Sequence, residues 1–310
     1  MFKNPFITDQ SQVNAPSFLL SLAKKNKNRA KVAIAYSQSA SSIIGAKQAY
    51  DEGLIEPVFI GNKSIVERET SLLKWDIANY RIVEVDSEEE AGNVAASICG
   101  NGEADILMKG DLHSDVFMRS VISRKNNLRT KNKIVHQFYI TPKNGEKGII
   151  VSDAAVNIKP SESTLKTITE QICNSLSKLN QTPPKVAFLS ASETVMENME
   201  SSTMANKLKN WASDNIKNAS FSGPLALDLI LSKEAAIKKG LGDDPVAGQA
   251  EGIIVPEIVS GNTLYKSLVY FASGCAAGIV LGAKVPVLLT SRADPPPARL
   301  SSIALASILK

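Results

Sequence analysis

From Lys31 onward the chain alternates short apolar runs with longer helix-like segments, and this alternation limits the possible folds more than any other feature. KVAIAY (31–36), PVFI (57–60), the run 81–85 and DILM (105–108) read as strands. The segments 39–52, 64–75 and 87–100 read as helices between them. The last opens with Ser87-Glu88-Glu89-Glu90, a hydroxyl cap followed by acidic residues that suit a helix start. Strand and helix in regular succession with short links imply an α/β fold: a parallel sheet covered on both faces.

The pattern changes past residue 134. Two strand-like runs, 135–139 and 148–152, flank Thr141-Pro142-Lys143-Asn144-Gly145-Glu146, whose Asn-Gly-Glu suits a hairpin link. A helix over 164–179, a strand KVAFLS (185–190), a helix over 204–215 and a helix from about Asp228 to Lys239 follow. GIIVP (252–256) and AGIVL (277–281) read as strands, with a helix over 263–273 between them. At 310 residues the chain suits two domains of roughly 150 residues each. The domains are expected to comprise residues 1–140 with 280–310, and residues 141–279.

Near the end comes GAKVPVLLTSRADPPPA (282–298). Val285 to Leu289 reads as a buried strand that ends on Thr290, Ser291 and Arg292, and parallel α/β sheets present functional groups at strand carboxyl ends. A guanidinium holds phosphate bidentately and a hydroxyl donates to a developing oxyanion, so this end has the chemistry of an anion site. Read without that chemistry, it is a strand–turn–helix in which Ser291 or Asp294 is only a cap. Asp294 and three prolines lead into a helix over 299–309. Lys109-Gly110-Asp111, Ser152-Asp153 with Asn157, Ser190 to Thr194, Pro256-Glu257 and Gly261-Asn262 repeat the motif of small and polar groups after a strand. Each by itself serves as a turn or cap as readily as a site.

Other function classes find little support. There is no Walker A or GxGxxG sequence for a nucleotide, no HExxH, and only two histidines, His113 and His136. A net charge of +4 makes no case for nucleic acid. The one noticeable basic cluster is Arg124, Lys125, Arg129, Lys131 and Lys133. Three widely separated cysteines suggest a reducing cytoplasm rather than a disulfide framework. The N-terminal residues do not read as a signal peptide, and no apolar stretch is long enough to span a bilayer.

Several segments together resemble the phosphate acetyltransferase and phosphate butyryltransferase family. They are ADILMKGDLHSD (104–115), SDAAVNIKPS (152–161), SASETV (190–195), SGPLALD (222–228), PVAGQAEGIIVPEIVSGNTLYK (245–266), AAGIVLGAKVPVLLTSRAD (276–294) and SIALAS (302–307). The resemblance runs from about residue 30 to residue 310. It implies the reaction acyl-CoA + phosphate = acyl phosphate + CoA. It also implies two α/β domains with a cleft between them, of the isocitrate/isopropylmalate dehydrogenase kind, and a homodimer. The expected ligands are small molecules, acyl-CoA and phosphate, with CoA a substrate and no resident cofactor or metal. Neither nucleic acid nor membrane is expected as a partner.

By the same resemblance Ser291 stabilises the tetrahedral intermediate, and Arg292 binds the phosphoryl group or CoA. Arg129 is a second phosphate ligand and Lys109 a weaker one. Gly223 and Pro224 shape a tight turn at the site, and Asn262 follows a strand end there. Many acetyltransferases carry an aspartate seven residues beyond the serine, as base for the thiol. Ala298 stands at that position here. Asp294 is the expected substitute, unless Arg292 alone lowers the thiol pKa enough. The SRAD form leans toward butyryl, similarity to the proteobacterial branch toward acetyl, and acetyl is favoured. A phosphate acyltransferase that uses acyl carrier protein, or a binding protein without turnover, stays open on these residues.

Overall fold

The computed structural model describes residues 6–9, 13–26, 28–180, 182–289 and 294–310. The chain has an α/β fold and divides into two compact units, Asn14–Ile134 with Ala277–Lys310, and Met1–Val13 with Val135–Ala276. The expected crossover at residue 140 and return at residue 280 compare with divisions after Ile134 and Ala276, and the described residues up to Val13 group with the second unit.

The first unit opens with α1 (Ser17–Ala23), then runs β1 (Ala30–Ala35), α2 (Ala40–Asp51), β2 (Ile55–Ile60), α3 (Lys63–Leu72), β3 (Ile82–Val83), α4 (Glu88–Gly100), β4 (Ile106–Lys109) and α5 (Ser114–Ile122). The helix starts follow local chemistry: Ser39, Asn62 and Ser87 each accept a backbone N–H from the residue three further on. β1 and β2 are buried at all but their second residue, as strands covered on both faces must be. Nothing in the sequence reading anticipated α5. Its short turn, SDVFMRSVI, buries only Phe117, Ser120 and Val121, too brief a stripe to stand out.

The second unit begins with β5 (Val135–Thr141) and β6 (Ile149–Ser152), an antiparallel pair joined through Gly145 at φ 75°. Then come α6 (Glu162–Leu179), β7 (Lys185–Leu189), α7 (Glu200–Asn215), β8 (Ser220–Leu225), α8 (Leu227–Leu231), α9 (Lys233–Lys238), β9 (Gly252–Ile254) and α10 (Ile258–Ala272). The single helix expected up to Lys239 is two, because Ser232 turns extended and caps α9 through Ala235 N–H. β10 (Cys275–Leu281) leads back into the first unit, where β11 (Val287–Leu288) and α11 (Pro296–Leu309) complete the chain. β11 is shorter than the expected 285–289 run, since Pro286 cannot donate to a ladder.

In the first unit the strand order is β3-β2-β1-β4-β11-β10, parallel except for β10 against β11. In the second it is β5-β6-β9-β7-β8, parallel except for β5 against β6. Ile34, Ile60, Leu107 and Met108 are buried in the first unit, and α11 contributes Ile303 and Leu305. Val151, Ala187, Leu225, Ile230, Ile253 and Val255 join one core in the second.

Gly223 and Pro224 were expected to form a turn. They lie instead inside β8, an edge strand, joined by a cis peptide bond. The β7–β8 register slips there, from Ala187 opposite Ser222 to Leu189 opposite Leu225. An edge strand tolerates proline because the missing N–H has no ladder partner. Gly223 has φ 154°, and a Cβ on it would stand 2.8 Å from the Phe188 Cβ.

Candidate active site

Both units bring polar groups to the carboxyl ends of parallel strands. In the first unit the β1–β4 ladder continues past the strands: Gly110 N–H donates to the Ala35 carbonyl at 2.8 Å and Asp111 N–H to the Tyr36 carbonyl at 2.9 Å. Gly110 is required there, since a Cβ would lie 2.4 Å from the Ala35 oxygen. Tyr36 turns the chain through φ 61°, and buried Ser37 donates its hydroxyl to the Ile34 carbonyl at 2.9 Å. Lys109, the last residue of β4, is buried to 4% exposure, with its ammonium 3.4 Å from the Gly110 carbonyl oxygen.

β11 lies parallel to β4, with Val287 opposite Leu107 and Leu288 opposite Met108. The chain therefore leaves β11 at Leu289 on a level with Lys109. Ser291 and Arg292, the two residues of greatest chemical interest in the sequence, lie outside the described residues. Asp294 is half-buried, immediately before Pro295 at the N-cap of α11. Ala298 is buried in the first turn of that helix and carries no acid–base function. Arg299 spans to α2, donating from Nη1 to the Ser41 carbonyl at 2.9 Å.

Arg129 is placed differently. It is exposed and forms a bridge with Ala283, flanked by Lys284 N–H donating to the Leu128 carbonyl at 2.9 Å. Thr130 Oγ1 donates to the Gly282 carbonyl at 2.6 Å. This anchors the Arg129 backbone at the entry to β11, whereas Lys109 stands at the carboxyl end of β4. The backbones of the two residues are thus held at opposite ends of the β4–β11 pair.

In the second unit β6 ends on Ser152, joined to Asp153 by a cis peptide bond. The Asp153 carboxylate is 1% exposed and fully engaged. Its Oδ1 accepts Ala155 N–H at 3.0 Å and Val156 N–H at 2.9 Å. Its Oδ2 accepts His136 N–H at 3.0 Å and Asn157 Nδ2 at 2.6 Å. Asn262 lies in the second turn of α10, not after a strand, and donates from Nδ2 to the Ala154 carbonyl at 3.2 Å. The structure thus joins Asn262 to the SDAAVN segment, which the sequence noted only as a strand end. Glu257 caps α10, accepting Val259 and Ser260 N–H at 2.7 Å. Burial alone would raise its pKa, but these donors and Ser260 outweigh it and hold the carboxyl below its usual value.

A groove of about 440 Å³ opens at the carboxyl ends of β7 and β9, lined by Phe188, Leu189, Met204, Val255, Glu200 and Glu257 among others. Gly223 and Pro224 shape neighbouring β8 as a bulge. Among the described residues no group of His, Cys, Asp and Glu is arranged to hold a metal ion, and no helix is long and apolar enough to cross a membrane.

Sequence reasoning passed over His136, counted only as one of two histidines. It lies in β5, a strand buried at nearly every position, and its ring is enclosed at 2% exposure. A histidine among Val135, Phe138, Tyr139 and Ile140 was the available signal.

Each unit is an α/β structure with polar groups at parallel strand ends, a buried lysine in the first and a fully bonded aspartate in the second. A family model described as "Phosphate acetyl/butaryl transferase" matches residues 87–307, and the chain belongs to that family. It is 36% identical over 281 residues to a phosphate acetyltransferase of Rickettsia typhi (strain ATCC VR-144 / Wilmington), covering 90% of this chain and 80% of that one. It is 31% identical over 289 residues to a phosphate butyryltransferase of Clostridium acetobutylicum, covering 92% and 95%. Among solved structures, a branched-chain phosphotransacylase from Enterococcus faecalis V583 superposes with a TM-score of 0.80 at 30% identity, covering 90% of this chain and 98% of that one.

Proposed function

We propose that this chain is a phosphate acyltransferase, exchanging an acyl group, principally acetyl, between CoA and phosphate. The observation that carries the reading is the family match over residues 87–307, which includes the TSRAD segment. In the direction of acyl-CoA synthesis, the CoA thiolate attacks the carbonyl carbon of acyl phosphate. A C–S bond forms, the carbonyl electrons move onto oxygen, and their return breaks the C–O bond to phosphate. Inorganic phosphate leaves with that bonding pair.

Each step places a demand on the residues. The thiol must lose its proton, since the thiolate is the nucleophile. The oxyanion needs a donor, and Ser291 Oγ–H fills that role. Arg292 holds the phosphoryl group or CoA by paired N–H donors, with Arg129 and Lys109 as further cations. Asp294 takes the thiol proton in place of the missing carboxylate at Ala298. Gly223, Pro224 and Asn262 shape the substrate site. The finer fold reading, an isocitrate/isopropylmalate dehydrogenase-like pair of domains with the substrates bound between them, rests on family resemblance. So do assembly as a homodimer, a cytoplasmic location and the lack of a resident cofactor.

The test is phosphate-dependent release of free thiol from acetyl-CoA and from butyryl-CoA, run beside Ser291→Ala and Asp294→Asn. We expect acetyl-CoA to be the better substrate and Ser291→Ala to lose about 100- to 1,000-fold in kcat, the range for one oxyanion donor. Phosphate-independent release, or full activity in Ser291→Ala, would remove the reading. Unchanged turnover of Asp294→Asn across pH would remove that residue as base.

A further inference from the structure

The loop between α5 and β5 carries Arg124, Lys125, Arg129, Lys131 and Lys133, all exposed, and no carboxylate occurs from residue 116 to residue 145. These five cations exceed the net charge of +4, so the rest of the chain is slightly negative. Several lysines elsewhere meet carboxylates: Lys24 with Glu52, Lys47 with Asp51, Lys207 with Glu162 and Lys238 with Glu234, each at 2.6 Å. Among the described residues Arg124, Lys125 and Lys131 have no carboxylate partner.

Blocks of like charge repel one another and belong as a rule to disordered tails, yet this one is fixed in place. Residues that anchor the loop alternate with its cations. Asn126, 4% exposed, ends one 3₁₀ turn (Arg124–Asn126). It donates from Nδ2 to Asn93 Oδ1 and to the Ser120 carbonyl, both at 2.8 Å, and accepts the Ser97 hydroxyl at 3.2 Å. A Cβ on Gly100 would stand 2.0 Å from the Asn126 carbonyl oxygen, so α4 lies close beneath the turn. Asn127 has φ 52° and donates from Nδ2 to the Gly100 carbonyl at 3.3 Å. Leu128 is fully buried, and Thr130 Oγ1, already bonded to the Gly282 carbonyl, accepts Asn132 N–H at 2.9 Å. The backbone is therefore ordered before any partner arrives, which removes a main cost of docking. Lys125 and Lys131 are six residues apart, so at most about 20 Å of chain separates them, the length of a short helix.

We propose that this loop is a docking surface for an acidic segment of another protein, whose aspartates and glutamates pair with Arg124, Lys125 and Lys131. Carboxylates suit both the guanidinium fork and the ammonium groups. A long polyanion would overrun the loop onto a chain that is otherwise slightly negative. Residues 123–134 include no aromatic side chain on which a nucleic-acid base could stack. With Leu128 buried, residues 123–133 expose no large apolar side chain to enter a membrane. The pairing does not call on Arg129, which the acyltransfer reading gives to phosphate.

Fluorescence anisotropy of a labelled alanine–glutamate helix of about 16 residues, titrated with the whole chain, tests this. At about 50 mM salt the triple variant Arg124→Gln/Lys125→Gln/Lys131→Gln should bind the peptide about tenfold more weakly than the parent, since each surface pair is worth up to a few-fold. A control, Lys207→Gln/Lys238→Gln/Lys239→Gln, removes the same charge from lysines already paired with carboxylates and should bind like the parent. Raising the salt to about 200 mM should weaken the parent and change the triple variant little. Phosphate-dependent thiol release from acetyl-CoA should be the same in all three proteins. No binding by the parent, parental binding by the triple variant, or equal weakening in the control would each overturn the proposal. Displacement of the peptide by acetyl-CoA would also overturn it and give the loop to the substrate. Tighter binding of a thymidine oligonucleotide of equal charge, or of phosphatidylglycerol vesicles, would replace the acidic protein with nucleic acid or membrane. Salt-sensitive self-association lost in the triple variant would make the occupant a second copy instead. The substitutions leave Asn126, Leu128 and Thr130 in place; should the triple variant not fold, Lys131→Gln alone, read against the control, decides the matter.

Discussion

Replacing Asp153 with alanine removes the acceptor for four donors at once, and the cost can be worked from their surroundings. The His136 N–H is buried with its strand, so stranding it costs about 1–3 kcal/mol. The N–H groups of Ala155 and Val156 are only part-buried and water can replace the carboxylate, so each is worth about 0.5–1 kcal/mol. The Asn157 amide, at 2.6 Å from a charged oxygen, adds about 1–1.5 kcal/mol on the same grounds. The total is about 4 kcal/mol, a large share of the 5–15 kcal/mol that holds a typical domain together. Asp153→Asn keeps one carbonyl oxygen for Ala155 and Val156 but turns an amide toward His136 N–H, so it should lose about half as much. Equilibrium urea unfolding, with the midpoint converted through an unchanged m-value, measures both variants. A loss below about 1 kcal/mol in Asp153→Ala would refute the account of this carboxylate as the anchor of the turn.

Gly110→Ala should be poorly tolerated, because the new Cβ meets two fixed carbonyl oxygens, of Ala35 and Tyr36, at 2.4 and 2.5 Å. A thermal melt should show a loss of about 1–3 kcal/mol or more, and a variant as stable as the parent would mean that β1 and β4 separate freely. Acid should destabilise the protein through His136. Its folded pKa near 4 lies below the usual 6.5, so the unfolded chain binds the extra proton first, and stability is fully present above about pH 6.5 and lost as pH falls toward 4. Urea midpoints between pH 7 and 4 should show this fall, and His136→Phe should flatten it.

Much of the fold was legible because it is written in short-range chemistry. Ser87 with the three glutamates behind it marks the start of α4 wherever that helix packs. The largely apolar runs of β1, β2 and β4 announce strands covered on both faces, and strands so covered pair in parallel through helical crossovers. The family-like segments likewise pointed to acyltransfer from residue identity alone.

Features that depend on a partner strand were not legible. Gly223-Pro224 reads as a turn in isolation and becomes a bulge because β7 lies on one side of β8 and, among the described residues, no strand pairs on the other. Arg129 and, more weakly, Lys109 are expected from the sequence as phosphate ligands, yet the antiparallel bridge to Ala283 and the parallel β4–β11 register hold their backbones at opposite strand ends. The sequence by itself determined most of the elements and their order, and by resemblance the acyltransferase chemistry. Only the tertiary structure decided that Asp153 is consumed by four donors and that His136 is a neutral, held imidazole. Hydrogen-bond occupancy and desolvation are sums over neighbours distant in sequence, and no local pattern encodes them.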